Sequence, residues 1–251
     1  MEITQQAYIL HARPYRETSL LATLLTAEQG KINAVIRGAR GKGRAAMHKS
    51  ALLQPFQKLL LQWRGKQHAS SDLVTVRALE AEPLRFPLEG EASFCGLYIN
   101  ELLYRLLYPG VSVETLFGRY ETALYELLKT QNRNQQAWVL RRFELQILTA
   151  LGVEIQCRED AHQQPVQPQR LYHYYAEMGA YPLSDAGSEE IWLQESQQPV
   201  GQGVAIQGEC LLKLADEAYC EICLPQWKAL LRQILKTYLG PKPILARQLF
   251  R

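Results

Sequence analysis

The first 80 residues alternate between short apolar runs and polar or turn-forming residues, a pattern typical of short β-strands. The β-friendly runs are Ala7–Leu10, Ser19–Thr26, Lys31–Arg37, Phe56–Trp63 and Asp72–Arg77. They are separated by turn or loop residues at Arg13-Pro14, Glu28-Gln29-Gly30 and Gly38–Ser50. Five short strands in a segment of this length predict a small closed barrel, of which the OB-fold is the commonest form and an SH3-like barrel the alternative.

After Pro83 and Pro87 the apolar residues recur at spacings of three and four, which indicates amphipathic helices. The pattern predicts helices over residues 94–105, 113–130, 135–151 and 225–239. Gly152 suits the C-terminal cap of the third helix, and Pro225 suits the first turn of the fourth. Three consecutive helices with short connections predict a bundle.

Residues 153–203 lose this regularity, because prolines, glycines and many glutamines interrupt it. We expect an irregular insert with two short strands near Leu171–Tyr175 and Ala180–Leu183. The sequence therefore predicts an α+β protein with a five-stranded OB-type barrel, a helical bundle and an irregular insert. The expected boundaries are 1–80 for the barrel, 81–152 for the bundle, 153–203 for the insert, and 204–251 for C-terminal helices that complete the helical domain.

The net charge of +3 is distributed unevenly along the chain. Residues 1–80 contain twelve Lys and Arg against five Asp and Glu, a net charge of +7. The remaining residues contain sixteen against twenty, a net charge of −4. A basic first third joined to a mildly acidic remainder predicts that an anionic partner binds at the N-terminal end.

Composition also bears on the compartment. No apolar run approaches the roughly 18 residues of a membrane span, and the first residues lack the pattern of a secretory signal. The five cysteines are scattered and odd in number, which argues against a disulfide framework and favours reduced thiols. We therefore expect a cytoplasmic protein with no membrane association.

The sharpest local feature is residues 37–44, where four cations and three glycines follow a predicted strand. Glycines allow the backbone to approach a phosphate chain, and cations bind that chain by releasing its counterions. A solvated flexible loop is the alternative interpretation. The spacing does not match a Walker A loop, so nucleotide hydrolysis is not indicated. The residues predicted to bind DNA are Arg37, Arg40, Lys42 and Arg44, supported by Arg13, Arg16, Lys31 and Lys49.

Three aromatic residues near this region could stack on bases: Tyr15, Phe56 and Trp63. The pattern favours positions in the barrel core for Phe56 and Trp63. Tyr15, which lies between Pro14 and Arg16, is the better stacking candidate.

No motif in the sequence is strong enough to assign catalysis or metal binding. Cys220 and Cys223 have the spacing of half a zinc site, but the second pair is missing. No nucleophile elbow, His-Glu-x-x-His helix or Gly-x-Gly-x-x-Gly loop occurs. We therefore expect a protein that is not an enzyme and that needs no cofactor or metal.

Six blocks, in the right order, resemble the RecO family, the recombination mediators of bacteria. The blocks are Ala7–Leu20, the basic stretch after Val35-Ile36, Leu53–Phe56, Gly96–Leu103, Leu140–Leu145 and Tyr238–Phe250. The resemblance implies an N-terminal OB domain, a central helical domain and a zinc-ribbon-like insert. Zinc-binding members carry two Cys-x-x-Cys pairs in that insert, whereas this chain has only Cys157 followed by Asp160. We expect the insert to be retained without metal.

The resemblance also implies a function in DNA repair and recombination. Family members bind single- and double-stranded DNA and anneal complementary strands. They bind RecR and the acidic C-terminal tail of single-stranded DNA-binding protein, and they thereby help to load RecA. A cytoplasmic, nucleoid-associated location follows from these partners.

The tail of that partner ends in an apolar Phe with a free carboxylate, so its receptor needs an apolar pocket with a cation at the rim. We predict this site near Trp138, Arg141, Arg142 and Leu145 on the third predicted helix. The basic barrel is the electrostatic alternative. Two other functions stay open: a sequence-specific regulator that binds double-stranded DNA, and a zinc-dependent enzyme acting on nucleic acid.

Overall fold

The computed structural model describes residues 2–65, 73–111, 114–183 and 203–250. The chain forms two compact units, one of Met1–Leu151 with Lys242–Arg251 and the other of Gly152–Pro241. The sequence pattern assigns residues 204–251 to the helical domain, but residues up to Pro241 group with the insert. Among the described residues, none of the helices has both the length and the apolar character that a membrane crossing requires.

The N-terminal strands form a closed five-stranded barrel, which confirms the predicted fold class. The strands are β1 (Glu2–Tyr15), β2 (Ser19–Thr26), β3 (Gly30–Ile36), β4 (Gln57–Arg64) and β5 (Leu73–Arg85). They are hydrogen-bonded in the order β1-β2-β3-β5-β4, and β4 pairs with β1 to close the barrel. Only the β3–β5 pair is parallel among the described barrel strands.

The strands β1 and β5 extend further than the pattern predicts, through Pro14 and Pro83. Beyond Leu10, β1 pairs only with β2, because its pairing with β4 ends at Ala7. Pro14 therefore lies on a strand edge that needs no N–H donor. Pro83 lies where the β4–β5 register shifts, a position that also tolerates proline.

The barrel core is made by the inward-facing residues of each strand. On β4 these are Leu59, Leu61 and Trp63, which are exposed by 1% or less. Phe56 is also buried, and its ring lies so close to Gly96 that a Cβ atom there would be 2.6 Å from the ring. Trp63 therefore belongs to the barrel core as expected, whereas Phe56 is buried against Gly96 outside that core. Both are unavailable for stacking on bases.

The helices that follow pack against the barrel within the same unit. They are α2 (Gly90–Leu106), α3 (Glu114–Lys129) and α4 (Arg133–Ala150), and a shorter helix, α1 (Arg44–Leu52), lies between β3 and β4. The Tyr8 ring of β1 lies 5.0 Å from the Tyr120 ring, and its hydroxyl donates to Glu121 at 2.8 Å. Asn100 donates to the Ile9 carbonyl at 3.3 Å. These buried contacts fix the barrel against the helices.

The chain returns to this unit through a C-terminal strap, residues 242–250, that lies along α2. The Glu101 carboxylate accepts hydrogen bonds from the backbone N–H groups of Leu245 and Ala246 at 2.8 and 2.7 Å. One turn further along, the Arg105 guanidinium donates to the carbonyls of Lys242 and Pro243. Side chains of α2 therefore satisfy backbone groups that the strap cannot satisfy itself.

The second unit contains a small sheet and two helices. The sheet has the order β7-β6-β8, and α5 follows β8 directly. The elements are β6 (Leu171–Tyr175), β7 (Gly179–Pro182), β8 (Val204–Gln207), α5 (Gly208–Ala215) and α6 (Leu224–Leu239). The two predicted insert strands are present, and β8 adds a third that the pattern does not predict.

A disulfide joins Cys210 to Cys223 within this unit. The expectation of reduced thiols is therefore wrong for these two residues, whereas Cys95, Cys157 and Cys220 are free. Cys210 lies in α5 and Cys223 directly precedes α6. Their proximity depends on how the two helices pack, which cysteine spacing does not reveal.

Candidate nucleic-acid interface

Two basic segments that are far apart in sequence meet at one end of the barrel. The β1–β2 turn ends at Thr18, whose carbonyl accepts a hydrogen bond from the Arg40 N–H at 2.9 Å. The Arg40 guanidinium donates to the Arg16 carbonyl at 3.3 Å. Arg16 has a φ of 52°, in the left-handed region, and this conformation belongs to the tight turn. The β1–β2 turn thereby holds the basic loop against the barrel.

The segment predicted as a loop over Gly38–Ser50 contains a helix, α1 (Arg44–Leu52). Its Lys49 ammonium donates to the Arg37 carbonyl at 3.0 Å, which ties the helix to the start of the basic loop. None of its described side chains is fully buried. Its apolar pattern is weak for that reason, and the sequence offers little sign of the helix.

Most of the predicted DNA-binding cations are exposed on this surface. We define the basic barrel end as the exposed cations Arg13, Arg16, Arg37, Arg40, Lys42 and Arg44, with half-buried Lys49 at its edge. No Asp or Glu occurs in the sequence between Glu28 and Asp72, so the basic loop and α1 carry no internal counter-charge. The arrangement can bind a polyanion by phosphate contacts.

Tyr15 lies beside this surface and is half-buried. The Arg16 guanidinium carbon lies 5.2 Å from the centre of its ring, a cation–π arrangement. The two residues can therefore act together, with a base against the ring and a phosphate near the guanidinium.

Lys31 is the exception among the predicted cations, because it is buried. Its ammonium donates to the Tyr104 carbonyl in the last turn of α2 at 2.8 Å, and burial lowers its pKa from 10.5. A cation at the C-terminal end of a helix satisfies a free carbonyl and the helix dipole. Lys31 therefore joins the barrel to α2 and does not face a DNA strand.

The predicted tail-binding residues divide between the surface and the core of α4. Trp138, Arg142 and Leu145 are half-buried and share one face by their spacing. Arg141 instead faces inward with 7% exposure and donates to the Glu144 carboxylate at 2.7 Å. It cannot serve as a cation at the rim of a surface pocket, so this assignment needs correction.

Hydrogen bonds between side chain and backbone organise the first turn of the insert. The Asp160 carboxylate accepts hydrogen bonds from the N–H groups of His162 and Gln164 at 2.8 and 3.0 Å. Cys157 is buried, and burial raises its pKa to about 12. Across the described ranges, no three His, Cys, Asp or Glu side chains lie close enough together to hold a metal.

His48 is the residue on this surface that sequence reasoning missed. It lies four positions after Arg44 on α1 and faces the same side of the helix. The i, i+4 spacing was visible in the sequence, but it becomes meaningful only once the segment is known to be helical.

Two family models match the chain, Recombination protein O N terminal over residues 1–81 and Recombination protein O C terminal over residues 87–198. Several relatives match along nearly the whole length. The DNA repair protein RecO of Methylococcus capsulatus is 35% identical over 99% of this chain and 93% of its own. That of Cellvibrio japonicus is 37% identical over 98% of this chain and 95% of its own. That of Proteus mirabilis is 36% identical over 100% of this chain and 93% of its own.

Proposed function

The chain belongs to the RecO family of DNA repair proteins, and on that premise we propose that its basic barrel end binds single- and double-stranded DNA. The observation that carries this proposal is the junction between the β1–β2 turn and the basic loop. Hydrogen bonds from Arg40 to Arg16 and Thr18 gather cations from both segments on one surface. Phosphate contacts of this kind hold DNA without reading its sequence.

The test is a salt titration of single-strand binding. Each lost phosphate contact should flatten the slope of log affinity against log salt by about 0.7. The variant replaces the four loop cations, Arg37, Arg40, Lys42 and Arg44, with Ala. We expect its slope to be flatter by up to about 2.8 and its low-salt affinity to be much weaker.

A second variant controls for the change in net charge. It replaces four exposed cations elsewhere with Ala, namely Lys129, Lys228, Arg232 and Lys236. This control should bind single strands with nearly the slope of the wild type. If the loop variant and the wild type had equal slopes of log affinity against log salt, the basic barrel end would be ruled out as the DNA-binding site.

We further propose that the protein anneals complementary strands and is not an enzyme. A basic surface that holds two strands screens their repulsion, and hybridisation itself supplies the free energy. Annealing should therefore proceed without ATP or divalent metal, and it should be lost in the loop variant. With RecR, the bound protein would help to load RecA onto DNA coated by single-stranded DNA-binding protein.

The acidic tail of that coating protein is proposed to bind the α4 face formed by Trp138, Arg142 and Leu145. Half-buried apolar groups and the Arg142 guanidinium suit a peptide that ends in Phe with a free carboxylate. Arg142 also pairs with Glu126, so the peptide carboxylate would share this guanidinium. Arg142→Ala should weaken tail binding and leave single-strand affinity unchanged. A peptide that lacks the terminal Phe but keeps its acidic residues should bind poorly. Tail binding that survives both changes would place the receptor elsewhere.

A further inference from the structure

A groove separates α1 from strand β5 at the barrel. Its volume is about 590 Å³, which is within the roughly 300–1,000 Å³ typical of ligand sites. The lining residues are Arg44, Ala45, His48, Lys49, Leu52 and Leu79. The α1 residues among them recur at three- and four-residue spacings, so they share one face of the helix.

The polar side chains that line the groove are all basic. Arg44, His48 and Lys49 contribute the nitrogen groups, and no carboxylate is among the lining residues. The Lys49 ammonium also donates to the Arg37 carbonyl, so the groove continues directly into the basic loop. The positive charge of the groove would attract an anion, and the groove adjoins the basic barrel end that is proposed to bind phosphates.

The rest of the groove is apolar. Leu52 and Leu79 are half-buried and pack against the barrel core. Leu79 lies opposite Leu61 in the β4–β5 ladder and packs at the edge of the barrel core, where it also lines the groove. Cations beside an apolar surface match a nucleotide, which has an anionic phosphate and a base with a flat apolar face. Only a single strand offers such a face, because the bases of a duplex are stacked and paired.

We propose that this groove binds a nucleotide of single-stranded DNA, with the base against Leu52 and Leu79 and the phosphate on Arg44, His48 and Lys49. The inference rests on the proposed function and adds to it a preference for single strands. The exposed cations of the loop bind either form of DNA, whereas the groove accepts only an unpaired base.

Two substitutions on α1 test the groove. Ala45→Glu places a carboxylate within it, and Met47→Glu adds the same charge at a position that is 65% exposed and outside it. Both variants change the long-range electrostatics of α1 equally. Ala45→Glu should weaken single-strand binding by about tenfold or more, and Met47→Glu by no more than about threefold. Duplex binding should fall to the same small extent in both.

An abasic oligonucleotide of equal length tests the contact with the base. The wild type should bind it more weakly than the normal strand, and this difference should be smaller in Ala45→Glu, where only the base contact at Tyr15 would remain. Equal single-strand losses in Ala45→Glu and Met47→Glu would overturn the groove, even while the four-cation loop variant still supported DNA binding. If Ala45→Glu instead abolished binding of an acidic peptide and left single-strand affinity intact, the occupant would be a peptide and the proposal would be wrong.

Discussion

Two adjacent arginines of α4 should respond very differently to removal, because one is buried and the other is not. The side chains of Arg141 and Glu144 are exposed by only 8% and 1%. The Tyr98 hydroxyl donates to the same carboxylate oxygen of Glu144, and burial raises the pKa of Tyr98. Arg142 pairs with Glu126 where the two side chains are exposed by 24% and 30%.

The expected losses follow from what each substitution leaves behind. Arg141→Ala leaves a buried carboxylate without its cation, which should lower the free energy of unfolding by about 3–5 kcal/mol. Arg142→Ala leaves a carboxylate that water can reach, so the loss should be about 1 kcal/mol or less. A loss of 1 kcal/mol lowers the Tm by roughly 2–4 °C in domains of 150–250 residues. The Tm should therefore fall by about 6–20 °C in Arg141→Ala and by less than about 4 °C in Arg142→Ala.

The assay is thermal and denaturant unfolding of the full chain, followed by circular dichroism. A double variant, Arg141→Met with Glu144→Gln, removes both charges. Its loss of stability should be smaller than the sum of the losses in the single variants Arg141→Met and Glu144→Gln. If the free energies of unfolding of Arg141→Ala and Arg142→Ala differed by less than about 1 kcal/mol, burial of the ion pair would not determine the loss of stability, and the reasoning would be refuted.

Three further outcomes are expected. Lys31→Met should leave DNA affinity within about twofold of wild type in a binding titration, because the buried ammonium donates to the Tyr104 carbonyl. A large loss of affinity would show that Lys31 contacts DNA. Glu101→Ala removes the acceptor of two strap N–H groups. This substitution should lower the free energy of unfolding by about 2 kcal/mol and speed hydrogen exchange at Leu245 and Ala246. Unchanged exchange would show that Glu101 does not hold the strap. Reducing the Cys210–Cys223 disulfide, which closes a loop with a sequence separation of 13, should lower stability by about 3 kcal/mol. Cys210→Ser should lose stability similarly without reductant and show no further loss with it.

Patterns along the chain were enough to predict the fold class and most of its elements, although not α1 or β8. The alternation in β4 is local, because every second side chain of this strand is buried in the barrel core. The strands β2 and β3 are buried at most positions, so their apolar runs mark them instead. The spacing of three and four likewise marks α2, α3 and α4, since each helix buries one stripe of side chains. The basic loop stands out because its cations occur in a run without acids.

What each polar side chain does was decided by tertiary structure. Lys31 and Arg141 look like surface cations in the sequence. In the structure, α2 covers Lys31, whose ammonium donates to the Tyr104 carbonyl, and Arg141 points into the helical bundle, where it donates to Glu144. The α1 helix buries no side chain fully, so it leaves no apolar stripe to detect. The β1–β2 turn meets the basic loop because β2 and β3 pair antiparallel, with Leu20 opposite Ile36, so the start of β2 lies beside the end of β3. A pattern of residues reports which side of an element is apolar, whereas the neighbour that covers a charged position comes from distant parts of the chain.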